Sequence, residues 1–377
     1  MAETALRIRD LHKRFDRTKA LDGVSLDLAR GSLTGLVGSD GAGKTTLIRI
    51  VAGLLKADSG GVELPVAGSP RRQARAADSA PAAEAAARRS PAGGASRRNT
   101  PVSRGRRSGA PAVGYLSQGF SLYGDLSIDE NMRFFASLYG FRRSRERATE
   151  LLTLVGLEAF RSRRAGKLSG GMKKKLALAC ALIHEPDLLL LDEPTTGVDP
   201  VSRREFWSIL SRLQHEGISV LLATPYFDEA ERCDHVVLMH AGRAVESGPP
   251  ETVAASTPGA IIEVVCSPVR RAQAALAGAP RVAEVQLYGD RIHVRTEGSA
   301  ADPASGSTRS AGSAESTGSA ETVDSAKSAG SAESPGNDLK ALLERSGVSV
   351  SSVRGIRASL ENAFIAHMGE AKEREAS

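Results

Sequence analysis

Apolar and polar residues alternate at Leu6-Arg7-Ile8 and along Val24-Ser25-Leu26-Asp27-Leu28, the period-two pattern of half-buried strands. Leu33-Thr34-Gly35-Leu36-Val37 predicts a further strand running into a glycine-rich stretch, and residues 45–52 read as the helix after it. Order resumes at Val113-Gly114-Tyr115-Leu116. Residues 125–165 then place Met132, Phe135, Leu138 and Tyr139 near helical spacing, and 149–155 repeats a helical pattern. The segments 187–191 and 218–223 are almost wholly apolar, as parallel strands covered on both faces must be. Strands alternating with helices predict an α/β sheet.

From about residue 259 the character changes. Ile261-Ile262-Glu263-Val264-Val265 predicts a strand and 268–277 a helix. Hairpin strands follow at 282–287 and 291–296, then a segment at 339–345, a short strand near Val348 and a helix at 359–368. That order predicts a small α+β domain over 259–377, interrupted by a Ser/Ala/Gly-rich linker at 298–337. Residues 69–111, rich in Ala, Arg, Pro, Ser and Gly without apolar periodicity, predict a second disordered low-complexity insert.

Composition changes this picture in one respect. The chain of 377 residues carries a formal charge of +6. The segment 70–110 alone holds ten arginines against Asp78 and Glu84, a net +8, which leaves −2 for everything else. The basic balance therefore belongs to one segment, and no nucleic-acid partner is expected. That insert could meet anionic headgroups, but a tolerated surface insertion explains it more simply. No run approaches the ~18 apolar residues of a membrane span, and the first residues lack a signal pattern. Three widely separated cysteines predict reduced thiols in the cytosol. Lys173-Lys174-Lys175 reads as a solvated helix face, and His184, His215, His235 and His240 as structural or surface residues.

The candidate chemistry lies in three segments. Gly38-Ser39-Asp40-Gly41-Ala42-Gly43-Lys44-Thr45 follows a strand and opens a helix, the context of a phosphate-binding loop. Its glycines let backbone N–H groups converge on phosphate oxygens. Lys44 is then placed for the β- and γ-phosphates of ATP, and the Thr45 hydroxyl for Mg²⁺. A chance glycine-rich turn is the plainer alternative. Leu188-Leu189-Leu190-Leu191-Asp192-Glu193-Pro194 ends an apolar strand on two acids. Asp192 suits Mg²⁺ and Glu193 suits a general base for water, though a solvated Asp-Glu pair also starts helices. Ser169-Gly170-Gly171-Met172 precedes another helix. Hydroxyl, bare backbone and helix N-terminus suit a second anion, unless Ser169 is an ordinary cap. One chain needs one γ-phosphate site, so a second predicts that ATP closes a dimer.

These residues resemble the ATP-binding cassette (ABC) ATPases over about 5–250, outside the insert. The resemblance implies a P-loop NTPase fold of ABC type over 1–255, with a helical subdomain at 119–166. It implies that Phe15 stacks on adenine and that Gly38, Ser39, Asp40, Gly41, Ala42, Gly43, Lys44, Thr45 and Thr46 hold the phosphates. Gln118 is implied to sense the γ-phosphate and Mg²⁺, with Glu193, Gln118 and Lys44 catalytic. Thr45, Gln118 and Asp192 are implied to surround the metal. Ser169, Gly170 and Gly171 are implied to face the partner domain's nucleotide, with Asp199 crossing the dimer interface beside them. The runs 122–131, Thr195-Thr196-Gly197-Val198-Asp199-Pro200 and 228–234 look like the ABC-2 type multidrug exporters. That implies an ATPase motor subunit peripheral on the inner face of the cell membrane, with separate permease chains. One departure stands out: Pro225 occupies the position where the family has a switch histidine, and proline offers neither side-chain donor nor N–H. Retained but weakened hydrolysis is the reading this favours; a degenerate regulatory subunit paired with an active cassette and a soluble non-transport ABC protein are the alternatives.

Overall fold

The computed structural model describes residues 3–65, 113–119, 121–140, 144–297 and 335–376. The expected inserts at 69–111 and 298–337 lie outside these residues, except for the last three positions of the second, which are helical. The chain divides into two compact units, Met1–Pro250 and Glu251–Ser377.

In the first unit, strands β1 (Thr4–Phe15) and β2 (Thr18–Ala29) form an antiparallel hairpin, with β4 (Ser59–Glu63) on the other edge of β1. The hairpin is longer than the alternation predicts. Asp10 has φ 47 and the register shifts between Ile8 and Leu11, so a bulge breaks the period-two pattern midway. The second sheet has six strands in the order β5 (Val113–Leu116), β6 (Leu188–Asp192), β7 (Ser219–Thr224), β3 (Leu33–Val37), β8 (His235–His240) and β9 (Arg243–Gly248). The first five are parallel and β9 is antiparallel to β8. β3, β6 and β7 are buried along their whole length, which explains their uninterrupted apolar runs.

Helix α1 (Lys44–Val51) binds the two sheets together. Leu47, Ile48, Ile50 and Val51 share one core with Leu6, Ile8 and Leu28 of the hairpin and Leu190 and Leu221 of the six-stranded sheet. Two further helices, α2 (Ile128–Leu138) and α3 (Ser144–Leu154), pack near α4 (Gly170–Leu182). α2 begins in a capping box, with the Ser127 hydroxyl accepting from the Glu130 N–H and the Glu130 carboxylate from the Ser127 N–H. Asn131 is fully buried. It donates to the carbonyls of Tyr123, Leu126 and Ser127 and accepts from the Tyr123 N–H, so it fixes the turn ahead of α2. α5 (Pro200–His215) is capped by the Asp199 carboxylate, which accepts from the N–H groups of Val201 and Ser202. A single turn, α6 (Phe227–Ala230), follows β7.

After α7 (Pro250–Ala255), whose first residue ends the first unit, the second unit contains β10 (Ile261–Ser267), α8 (Val269–Leu276), β11 (Val282–Tyr288), β12 (Arg291–Thr296), α9 (Pro335–Arg345), β13 (Ser349–Ile356) and α10 (Leu360–Ala376). From β10 to β13 this is the split βαβ arrangement, with sheet order β11-β12-β10-β13. Ile262, Val264, Ile292 and Val294 pack against Ala272 and Leu276 of α8 and Leu339 and Leu343 of α9. Among the described residues, no helix is long and apolar enough to cross a membrane.

Candidate functional site

Parallel strands present their carboxyl ends at one edge of a sheet, and side chains that handle ligands gather there. Val37 leads from β3 into the glycine loop, Asp192 ends β6, Thr224 ends β7 and Leu116 leads from β5 to Gln118. Residues distant in sequence thus meet at one edge.

Two glycines of the loop are required by close approach. A Cβ on Gly38 would lie 2.0 Å from the Met239 carbonyl oxygen, and one on Gly43 (φ 100) would lie 2.4 Å from that of Ala20. The turn so formed delivers α1 with Gly43 at its N-cap and no side chain capping it. Its first N–H groups therefore point to where an anion would sit. Ser39 and Asp40 are exposed on the loop, Ala42 is buried beneath it, and Thr46 is half-buried in the first turn.

Lys44 is only 4% exposed, and its ammonium donates to the carbonyl oxygens of Gly38 (2.8 Å) and Ser39 (2.9 Å). Burial lowers its pKa, while the carboxylates of Glu193, Asp40 and Asp192 oppose that shift. The Thr45 hydroxyl donates to Asp192 Oδ1 at 2.8 Å. Asp192 is fully buried, and among the described residues its Oδ2 has no close hydrogen-bond donor, although the Tyr115 phenol lies near the carboxylate. Burial pushes the Asp192 carboxyl up, with the Thr45 bond acting against it and the nearby Glu193 charge adding to it. A buried, unpaired carboxylate oxygen beside a hydroxyl is an oxygen-only donor set, which suits a hard divalent cation.

Glu193 lies one residue beyond, in the left-handed region at φ 48, with its N–H on the Ala223 carbonyl at 2.9 Å. A non-glycine residue held in this conformation signals a side chain aimed by its surroundings. Its Oε2 accepts from the Gln118 amide at 2.8 Å and from the Thr196 hydroxyl at 3.3 Å. Lys44, Thr45, Gln118, Asp192 and Glu193 thus form one linked cluster.

Ser169 caps its own helix, accepting from the Met172 N–H at 3.3 Å. A Cβ on Gly171 would lie 2.4 Å from the Ser202 hydroxyl oxygen and 3.6 Å from Asp199 Oδ2, so the bare backbone at the start of α4 sits directly on the start of α5. Among the described residues, no hydrogen bond joins Ser169, Gly170 or Gly171 to the glycine loop of the same chain. Phe15, at the end of β1, is 46% exposed with the Lys13 ammonium 5.4 Å from its ring centre. A cavity of about 280 Å³ on the same hairpin is a separate feature. Among its lining charges, Lys13 pairs with Asp58 at 2.8 Å and Lys19 with Asp22 at 3.5 Å.

Two residues escaped the sequence reading. Lys174, expected on a solvated face, is 3% exposed and donates to the Gln118 carbonyl at 2.7 Å. A run of three lysines gives no sign of which one turns inward. Glu229 is 1% exposed and accepts from the hydroxyls of Thr195 (2.5 Å) and Thr224 (2.8 Å), with Arg203 at 3.5 Å. It joins the ends of β6 and β7 to α5. Its place in the 228–234 run is the only sequence signal for it. His184 is structural, bonded to the Val113 carbonyl at 3.0 Å and stacked on Tyr139.

Comparison with known proteins fits this geometry. The ABC transporter family profile matches residues 21–196. The probable multidrug ABC transporter ATP-binding protein YbhF of Escherichia coli K12 is 35% identical over 262 residues, 68% of this chain and 39% of that protein. The chain therefore spans well under half the length of that curated relative. The daunorubicin resistance ATP-binding protein DrrA3 of Streptomyces coeruleorubidus is 36% identical over 284 residues, 74% of this chain and 79% of that protein. Among solved structures, cbiO1 from Clostridium perfringens, part of the ABC transporter complex cbiONQ, superposes with a TM-score of 0.51. It is 27% identical, over 67% of this chain and 92% of its own. The chain belongs to the ABC transporter ATP-binding proteins.

Proposed function

We propose that the chain is the ATP-hydrolysing motor subunit of an ABC-2 type exporter, acting as a pair of nucleotide-binding domains on separate permease subunits at the inner face of the cell membrane. The observation that carries this reading is the cluster Lys44–Thr45–Asp192–Glu193–Gln118 at one sheet edge, together with a Ser169-Gly170-Gly171 turn that, among the described residues, makes no hydrogen bond to the glycine loop. The names of YbhF and DrrA3, a multidrug transporter subunit and a daunorubicin resistance protein, support export. Exposed Tyr123, Leu138 and Tyr139 around α2 give an apolar surface for a permease.

In this reading Phe15 stacks on adenine, and the loop N–H groups and Lys44 hold the phosphates, the ammonium leaving the Gly38 and Ser39 carbonyls to do so. Thr45 and Asp192, with Gln118 near them, would hold Mg²⁺. The ion would neutralise charge on the β- and γ-phosphates. Glu193 orients a water and takes its proton as the water oxygen bonds to the γ-phosphorus and the bridging oxygen departs with ADP. Ser169, Gly170 and Gly171 of one domain, with Asp199 beside them, close over the nucleotide of the other.

Pro225 removes one donor from this arrangement, and the neighbouring Tyr226 N–H is engaged by the Thr224 hydroxyl at 3.1 Å. Hydrolysis is thus slowed but retained, since the remaining groups are in place. The second reading, an ATP-binding regulatory subunit paired with an active cassette, rests on Pro225 alone.

Asp192 gives this reading a pH signature. Burial raises its pKa, so the carboxylate is lost on acidification above the ~4 of an exposed aspartate. The Mg²⁺-dependent part of ATP affinity is expected to fall on acidification while the pH is still above the ordinary aspartate range, before the Mg²⁺-independent part does. By linkage, the same raised pKa makes the nucleotide-free protein lose stability as pH rises through the folded-state value. Binding titrations with and without Mg²⁺ check this, and identical pH profiles would refute it.

The composite site has its own test. Ser169→Arg is expected to leave monomer ATP affinity within about twofold, because Ser169 makes no bond to its own loop, and to prevent ATP-dependent dimerisation by blocking the opposed phosphates. Light scattering in the Glu193→Gln background reads it. A dimer that forms as in the parent rules the closure out.

A further inference from the structure

We propose that Lys174 is a positioning residue for ATP turnover, holding the Gln118 segment on helix α4 so that the Gln118 amide is delivered to Glu193. The inference rests on the functional reading above. Lys174 lies in the second turn of α4, and its side chain is withdrawn from solvent to 3% exposure. A buried ammonium carries a desolvation cost that only well-placed acceptors offset. One such acceptor is a backbone oxygen: Lys174 Nζ donates to the Gln118 carbonyl at 2.7 Å. The side chain of that same residue donates to Glu193 Oε2 at 2.8 Å. One residue thus has its backbone held by α4 and its side chain held on the proposed general base.

The surroundings argue against simple space filling. The carboxylates of Asp192 and Glu193 lie close enough to oppose the loss of the Lys174 charge through burial. The ammonium therefore sits in the field of the nucleotide-side acids. The next residue, Lys175, pairs with Glu205 of α5, so consecutive lysines grip the Gln118 segment and the helix begun by Asp199. A methionine at 174 would fill the same space but could not donate to the Gln118 carbonyl. α4 carries the Ser169-Gly170-Gly171 turn, so a shift of that turn is passed directly to the water-orienting groups.

The test compares full-length wild type with Lys174→Met, Lys174→Gln and Lys174→Arg, measuring kcat and KM for ATP with Glu193→Gln alongside. Loss of one charge-assisted hydrogen bond is expected to lower kcat about tenfold in Lys174→Met and Lys174→Gln. KM for ATP should stay within about twofold, and Lys174→Arg should recover most of the rate. A kcat within twofold of wild type in either folded uncharged variant overturns the proposal. So does a loss that arginine does not rescue. If Glu193→Gln still hydrolyses ATP, the reading of the site fails instead. Should wild-type turnover be too slow to compare, amide exchange over 113–119 decides. Faster exchange confined to that segment in Lys174→Met supports the role, and unchanged exchange overturns it.

Discussion

Replacing Lys44 with alanine is expected to lower ATP affinity by about 100-fold or more while the fold survives, from the loss of one or two charge-assisted hydrogen bonds at ~1.5–3 kcal/mol each. Lys44 is the one cation of the glycine loop, and its ammonium is withdrawn from water onto the Gly38 and Ser39 carbonyls. It waits desolvated, so moving to a phosphate carries little further loss of hydration. Alanine keeps the helix propensity of the first turn of α1, and Leu47, Ile48, Ile50 and Val51 keep the helix in the core. Calorimetric titration of ATP, with thermal unfolding as the control for folding, measures both halves. An affinity loss below about threefold, against the ~2.7 kcal/mol that 100-fold represents, would mean that the phosphates do not sit at this loop.

The second large effect belongs to Glu193→Gln. Hydrolysis is expected to fall by about 10²–10⁴-fold while ATP binding persists, the range for loss of a general base. Glutamine keeps the length and one acceptor oxygen, so the bonds from Gln118 and Thr196 need not break. The Glu193 N–H bond to the Ala223 carbonyl is made by the backbone and is untouched by the substitution. What is lost is the capacity to take a proton. Single-turnover hydrolysis at high protein concentration compares the two. Hydrolysis in wild type that vanishes in Glu193→Gln establishes a working motor despite Pro225. Tight ATP binding with no hydrolysis in either makes the regulatory reading correct, and an active partner cassette becomes the object of search.

The parts of the fold visible in the sequence are those where one physical requirement dominates. β6 and β7 are buried on both faces and so read as unbroken apolar runs. The glycine loop is legible because backbone approach at Gly38 and Gly43 tolerates no Cβ. In the split βαβ unit the apolar run of β10 and the hairpin after it were legible, whereas the mostly exposed β13 is longer than the short strand read near Val348. β4, by contrast, is Ser-Gly-Gly-Val-Glu on a sheet edge, mostly exposed, and only its pairing with β1 makes it a strand. The hairpin was read short because the bulge near Asp10 resets its period. Lys174 and Glu229 failed to announce themselves because charge predicts exposure until tertiary partners are known. Their partners, Gln118 and Thr195, lie 56 and 34 residues away.

The unpaired Oδ2 of Asp192 has a consequence for anyone who engineers this protein. In the nucleotide-free protein this buried acceptor has no close protein donor among the described residues, and a bound cation would supply a partner. A screen for thermostability run without nucleotide would therefore reward substitutions at Asp192 and its neighbours that fill or neutralise this spot. Such winners would be robust and inert. Selection in the presence of Mg²⁺ and ATP reverses the incentive, because there the same oxygen gains its partner and its retention becomes the stabilising choice.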